Sequence, residues 1–404
     1  MKRIAIVGAG QRCYASYAEP LTKEYADKVK ILAVCDTNIG RCDFYKRTLS
    51  DDIKTYTANE FDKMLDENKP DALLVTTCDG FHHEYIIRAL DKGYDVISEK
   101  PLTTTADRCL EIREAEKRSG KHVTVTFNVR FMPYFAKMRE VMLSGIIGKP
   151  LHVTYEYTLK TNHGGDYFKR WHRKMEMSGG MMVHKATHHF DIVNWILGDE
   201  PARVSAIGSR LYYGNDDRPH GERCSACDYT ESCEVYRSLY KDDLLKGLYF
   251  DNEKYDGYLR DHCAFSSDTD IYDTMSVSVE YKQGALLTYS LNLYSTREGF
   301  TINIIGEKGR ILLANTGGAD ADKICVYPRN AEAYEIAVPK YEGGHNGADE
   351  KMLEMLFGGE KEDTLGQCSG SFDGVKSAII GIAANESIKT GNRIELTELL
   401  DRMR

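Results

Sequence analysis

The chain has 404 residues, a formal charge of −9 at neutral pH, 42% apolar residues and 28% charged residues. That length calls for two or three domains, with cores large enough to need no disulfide staples. The composition excludes disorder and collagen; no apolar run is long enough to span a bilayer, and no basic run offers a nucleic-acid footprint.

The opening Met1-Lys2-Arg3-Ile4-Ala5-Ile6-Val7-Gly8 stops too soon for a signal peptide and reads as a buried first strand, so a cytoplasmic protein is expected. Eleven scattered cysteines, an odd number, then read mostly as free thiols. Apolar runs at 3–8, 31–35, 72–76, 96–98 and 123–127 alternate with amphipathic stretches such as 85–92 and 106–118. Strands spaced by helices predict βαβ units and a doubly wound parallel sheet.

The turn after the first strand, Gly8-Ala9-Gly10-Gln11-Arg12-Cys13, approximates the dinucleotide fingerprint G-x-G-x-x-G, with Cys13 at the third glycine. Gly8 permits the tight turn, Gly10 lets backbone approach a pyrophosphate, and the helix opening at Gln11 and Arg12 offers its N–H groups to the anion. Asp36 closes the second strand 23 residues after Cys13, close to the spacing of the carboxylate that binds a ribose 2′-hydroxyl. A carboxylate there repels a 2′-phosphate, so NAD is expected rather than NADP, with Arg41 the feature that pulls the other way.

The run from Thr76 to Leu102, T-T-C-D-G-F-H-H-E-Y-I-I-R-A-L-D-K-G-Y-D-V-I-S-E-K-P-L, resembles the Gfo/Idh/MocA oxidoreductases, whose pattern is T-P-N-x-x-H, A-L-x-x-G and E-K-P. Thr76, His82, Gly93, Glu99, Lys100 and Pro101 match, with Thr77 in place of the proline; Asn128-Val129-Arg130-Phe131 resembles the junction motif N-x-R-F/Y. The resemblance covers essentially the whole chain. It implies a Rossmann domain over 1–127 and an α+β domain over 128–404 with an open, mainly antiparallel sheet. Beyond Gly148, β-rich runs at 151–159, 204–213, 276–281, 285–294, 301–306, 310–313 and 324–327 agree independently, with Lys282-Gln283-Gly284 as a hairpin turn. Helices are expected at 348–357 and 371–389. The resemblance also implies that Thr76, His82, Glu99, Lys100 and Asn128 face the cofactor, and that the sheet face makes a homo-oligomer, dimer or tetramer.

Lys100, before a proline at a strand end, can donate to a substrate hydroxyl oxygen or steady a developing alkoxide; by itself such a lysine would read as a surface residue. Gly179-Gly180-Met181-Met182-Val183-His184-Lys185-Ala186-Thr187-His188-His189-Phe190-Asp191 resembles the family's G-G-x-x-x-D-x-G-x-H-x-x-D. Counting from Gly179, His188 takes the position of the catalytic histidine and Asp191 that of the downstream aspartate, while His184 replaces an aspartate. On one helix these three are spaced i, i+4 and i+7 and share a face. His188 is the expected general base, with His184 and Asp191 beside it; an i, i+4 histidine pair can also bind a metal. Arg130, Trp171, His172 and His345 are expected to contact the substrate, Trp171 and His172 as an aromatic sugar platform and His345 from a Gly-rich loop.

Cys224-Ser225-Ala226-Cys227 and Cys233 lie in an insert at about 215–267. This spacing has zinc-ligand character, with Cys263, His262 or His220 as fourth ligand, against the alternatives of free thiols or a redox pair. The expected function is NAD-dependent oxidation of a carbohydrate: a sugar, polyol or glycoside. The alternatives are redox-neutral glycoside cleavage with a retained NAD, through transient 3-keto oxidation and β-elimination, and a non-catalytic NAD-binding regulator.

Overall fold

The computed structural model describes residues 1–215, 218–315, 323–339, 341–359 and 362–404. Strands β1 (Lys2–Val7), β2 (Val29–Asp36), β3 (Lys54–Thr57), β4 (Ala72–Val75), β5 (Asp95–Ser98) and β6 (Val123–Val125) form a six-stranded parallel sheet in the order β3-β2-β1-β4-β5-β6. β4 is buried along its whole length, as a parallel strand covered by helices on both faces must be. The chain reverses between β1 and β4, and the crevice beyond the carboxyl ends of these strands is where such sheets bind ligands. Sequence reading missed β3, whose Lys-Thr-Tyr-Thr buries only Tyr56. An edge strand of this kind has no continuous apolar run to betray it.

The second sheet has nine strands: β7 (Pro150–Lys160), β8 (Pro201–Ser209), β9 (Thr274–Tyr281), β10 (Leu286–Ser295), β11 (Gly299–Gly306), β12 (Gly309–Asn315), β13 (Lys323–Pro328), β14 (Tyr334–Ala337) and β15 (Ile394–Glu395). Their order is β14-β13-β12-β11-β7-β10-β9-β8-β15, antiparallel throughout except for the parallel β7–β10 pair. Inward residues alternate with outward ones, as in Met275, Val277, Val279 and Tyr281 of β9. The inner face packs on the helices Ala186–Leu197 and Ser371–Thr390; on the outer face Ile207 and Leu286 stand exposed. The turn at Lys282-Gln283-Gly284 joins β9 to β10 as expected, with Gly284 at φ +95°. Among the described residues no helix is long and apolar enough to cross a membrane.

Two segments expected in the second domain return to the first. In the helix Ala348–Phe357, the residues Ala348, Met352, Leu353 and Phe357 join Ile4, Tyr17 and Phe131 in the core behind the parallel sheet. Just before the helix Ser371–Thr390, the Val125 N–H donates to the Ser369 carbonyl at 2.9 Å, covering the edge of β6. The insert between β8 and β9 also reaches across: Leu248, fully buried, joins the same core. These apolar faces bury themselves on whichever sheet offers unfilled surface, and chain order does not decide which.

The helix Ser371–Thr390 backs the short helix Gly180–His184 so closely that a Cβ on Gly381 would lie 2.2 Å from the Met182 carbonyl oxygen. Gly381→Ala is therefore expected to destabilise the protein by about 1–3 kcal/mol through overpacking. Thermal denaturation reads this as a lowered midpoint; an unchanged midpoint would mean that the two helices separate freely.

Candidate active site

The turn after β1 is built for close approach. Gly8 sits at φ +100°, and a Cβ there would lie 2.5 Å from the Thr76 carbonyl carbon at the end of β4. Gly10 precedes the helix starting at Gln11 and supplies no side-chain cap to its first N–H groups. Cys13, at the third glycine position, is fully buried and packs the helix onto the sheet. Asp36 ends β2 with Oδ2 2.7 Å from the Ala9 N–H, which binds the carboxylate to the turn. A glycine cradle and a carboxylate at the second strand end fit a dinucleotide: Gly8, Gly10 and the backbone of Arg12 would line its pyrophosphate and Asp36 its ribose.

The insert lies over this turn, which sequence reading did not foresee. The Tyr249 hydroxyl accepts the Gln11 N–H at 2.8 Å, taking one of the amides expected to face the anion. Asn38 Nδ2 donates to the Asn252 carbonyl at 2.9 Å. Arg41 bridges Asp36 at 2.9 Å and Asp256 at 2.5 Å, with its guanidinium over the Tyr249 and Tyr258 rings.

A buried ionic network supports the other side of the crevice. Arg12 reaches Glu99 at 2.7 Å and both oxygens of Asp349 at 3.0 Å; the Tyr17 hydroxyl donates to Glu99 at 2.7 Å, and Asn128 Nδ2 to Asp349 at 2.7 Å. Burial opposes ionisation, yet Arg12 and Lys100 hold the Glu99 carboxyl below its usual range. The Glu99 carboxylate in turn accepts the Lys100 N–H at 3.1 Å, and His82 sets its two ring nitrogens on the Pro101 and Thr77 carbonyls at 2.8 and 3.1 Å. The Thr76 hydroxyl donates to the Gly8 carbonyl at 2.7 Å. The side chains of Arg12, Thr76, His82, Glu99 and Asn128 thus have internal partners and shape the crevice from behind.

Lys100 extends from this support to the second domain, where its Nζ donates to the His184 carbonyl at 2.9 Å. Burial pushes its pKa down to about 8, with Asp79 and Glu99 opposing the shift. The single-helix arrangement of residues 184, 188 and 191 is corrected: the helix ends at His184 and restarts at Ala186, with Lys185 between at φ −94°, ψ −50°. His184 faces the cofactor domain, where its Nδ1 lies 2.6 Å from Asp79 Oδ2. The His188 ring stands edge-on to Phe127 at 6.1 Å, and its Nδ1 is buried with no hydrogen-bond partner among the described residues. Burial, followed by the nearby Lys100, lowers both imidazoles well below their usual pKa, so both are neutral at pH 7.

Asp191 and Arg130 leave the candidate list of groups facing the substrate. They form a buried bidentate pair at 2.6 and 2.7 Å, and Arg130 also donates to the Gly366 carbonyl at 3.1 Å. The pair fastens the helix Ala186–Leu197 to the domain junction. Trp171 stacks on His172 at 3.6 Å, and His172 meets His184 edge-on at 4.2 Å, so the expected aromatic platform adjoins the site. His345, in the left-handed region at φ +51°, keeps a half-exposed ring whose Nδ1 is 2.9 Å from Asp349. Asp79 was missed, although a carboxylate just beyond the end of a parallel strand is a readable signal.

The zinc expectation at Cys224, Cys227, Cys233 and Cys263 is not supported. All eleven cysteines are free thiols, and among the described residues no group of three or more His, Cys, Asp and Glu is arranged to hold a metal. Among the described residues, His184 and His188 likewise belong to no group of three or more such side chains arranged to hold a metal. Burial raises the Cys224 and Cys263 thiols, which therefore stay protonated at neutral pH.

Comparison with known proteins agrees with this architecture. Gfo/Idh/MocA family models match residues 2–127, described as an oxidoreductase family NAD-binding Rossmann fold, and residues 139–396, described as its C-terminal alpha/beta domain. The Bacillus subtilis (strain 168) protein YteT, named as an oxidoreductase, is 34% identical over 99% of both chains. D-glucoside 3-dehydrogenase of Escherichia coli K12 is 28% identical over 48% of this chain and 54% of its own. The WlbA dehydrogenase of Bordetella pertussis, solved with NADH and UDP-GlcNAcA, shares the fold at a TM-score of 0.69 and 18% identity, covering 98% of each chain.

Asp191→Ala leaves the Arg130 guanidinium buried beside only Asp373 at 3.5 Å and one carbonyl, and is expected to cost about 3–5 kcal/mol of stability. Urea unfolding measures the loss. Normal stability with a raised KM would instead return the pair to the substrate.

Proposed function

The chain belongs to the Gfo/Idh/MocA family of NAD(P)-dependent oxidoreductases, and on that premise we propose that it oxidises a hydroxyl of a sugar, polyol or glycoside with NAD. The observation that carries this reading is the meeting of Lys100, from the end of the cofactor domain's sheet, with the His184–His188 segment of the second domain. The cofactor supplies a hydride acceptor at nicotinamide C4. Lys100, as an ammonium, donates to the hydroxyl oxygen. A neutral imidazole takes the hydroxyl proton: His188 holds the position that family resemblance assigns, and His184 stands one turn before it. Trp171, only partly buried, would offer its outer face to a sugar ring, while His172 is buried beneath it. NAD is favoured over NADP because Arg41 is already held between Asp36 and Asp256, and those carboxylates would oppose a 2′-phosphate.

One observation favours a second reading, redox-neutral glycoside cleavage. The insert contacts the cofactor turn through Tyr249, and Arg41, beyond the end of β2, through Asp256, as suits a cofactor retained between turnovers. A panel of free sugars, polyols and glycosides, assayed with NAD by absorbance at 340 nm and product NMR, separates the two. Steady NADH formation matched by a keto-sugar is expected. Aglycone release without NADH would replace oxidation by cleavage, and no turnover of either kind would refute both.

The pH dependence follows from Lys100. Both imidazoles are lowered below their usual range and are neutral at pH 7, so kcat/KM is expected to stay level from there to about pH 8 and to fall as Lys100 loses its proton above it. Lys100→Met should abolish that fall and lower kcat by about 10²–10⁴-fold. A rate that climbs through pH 8 would make Lys100 the base instead of the donor.

A further inference from the structure

Two neutral imidazoles border Lys100, and the protein treats them differently. His188 has a buried Nδ1 with no partner among the described residues, so nothing there fixes which nitrogen carries its proton. His184 has its Nδ1 2.6 Å from Asp79, a carboxyl that is itself buried and comes from the loop after β4. That loop is clamped to the second domain, since a Cβ on Gly80 would lie 2.8 Å from the Glu176 carbonyl oxygen. The His184 ring is walled by Tyr167, Trp171 and His172, and 12% of the side chain remains accessible. Its Nε2 has no hydrogen-bond partner among the described residues. Lys100 binds the carbonyl of the same residue at 2.9 Å, so ammonium, carboxylate and imidazole gather at one point where the two domains meet.

We infer that Asp79 is a positioning residue that fixes His184 in the Nδ1–H tautomer, which makes Nε2 of His184 the acceptor of the substrate's hydroxyl proton. The inference rests on the oxidation reading above. In the step, the substrate O–H bond breaks and its proton passes to Nε2. The carbon's hydrogen leaves with its electron pair for NAD, the oxidant of the established family activity. His184 becomes imidazolium, and its Nδ1–H stays on the Asp79 carboxylate, which offsets the new charge. Burial raises the Asp79 carboxyl well above its usual range and the Lys100 ammonium is the largest influence opposing that rise, so which partner holds the proton across the 2.6 Å contact is what the tautomer measurement reads. Removing such an orienting carboxylate leaves the site's shape intact but lets the imidazole take the wrong tautomer.

The tautomer can be read without any substrate. In the full chain with NADH bound, ¹⁵N–¹H long-range NMR of ¹⁵N-histidine-labelled protein resolves which nitrogen of each of the twelve histidines is protonated, and His184→Gln identifies the signal. The Nδ1–H form is expected in the unmodified protein, and a switch to Nε2–H in Asp79→Asn. Nε2–H or imidazolium in the unmodified protein overturns the inference, and this arm stands even if Asp79→Asn fails to fold. With a substrate found by the panel, Asp79→Asn should lower kcat by about 10²–10⁴-fold with KM little changed, and Asp79→Asn/His184→Gln should be no slower than His184→Gln alone. Losses that multiply, or an unchanged kcat, would make Asp79 merely structural. Failure of the whole panel refutes the oxidation reading but leaves the tautomer result to be judged by itself.

Discussion

Arg12 between Glu99 and Asp349 is the contact around which the crevice is assembled. It joins the first helix, the end of β5 and the helix Ala348–Phe357, and through Asn128 it also reaches the domain junction. Two buried carboxylates would repel each other without the guanidinium between them, whose side chain keeps a third of its surface in solvent. Glu99 passes this constraint to Lys100 through its backbone N–H, so the placement of the reactive ammonium depends on charges several residues behind it.

Burial sets the chemistry once the groups are placed. It drives Lys100 down toward neutral pH and keeps both imidazoles neutral, giving a proton donor and proton acceptors that coexist at pH 7. In water the lysine would be a poor acid and the imidazoles partly charged. His184 ends one helix facing the cofactor domain, and His188 lies on the next.

The insert explains why the dinucleotide turn does not stand as an open cradle. Tyr249 takes the Gln11 N–H, Asp256 shares Arg41 with Asp36, and Gly40 has no room for a Cβ because Asn252 lies 2.2 Å from that position. Gly40 and Gly247 are therefore small for the sake of a contact made more than 200 residues apart in sequence, with Gly247 pressed on Phe44.

The sequence by itself determined the two-sheet architecture, the dinucleotide turn and the family, because these rest on local signals: apolar periodicity, glycines that the backbone demands, and short contiguous motifs such as Glu99-Lys100-Pro101. Periodicity missed β3, which is a polar edge, and continued one helix through Lys185, because nothing in His184-Lys185-Ala186 forbids helix locally. Motif resemblance put Arg130 and Asp191 before the substrate, and cysteine spacing suggested a zinc site. The motif reading considers one residue at a time, whereas a buried ion pair depends on side chains converging in space. Only the tertiary structure decided that Arg130 answers Asp191 and that Asp79 meets His184. Those pairings are fixed by desolvation and packing between segments distant in the chain, and no spacing within the sequence encodes them.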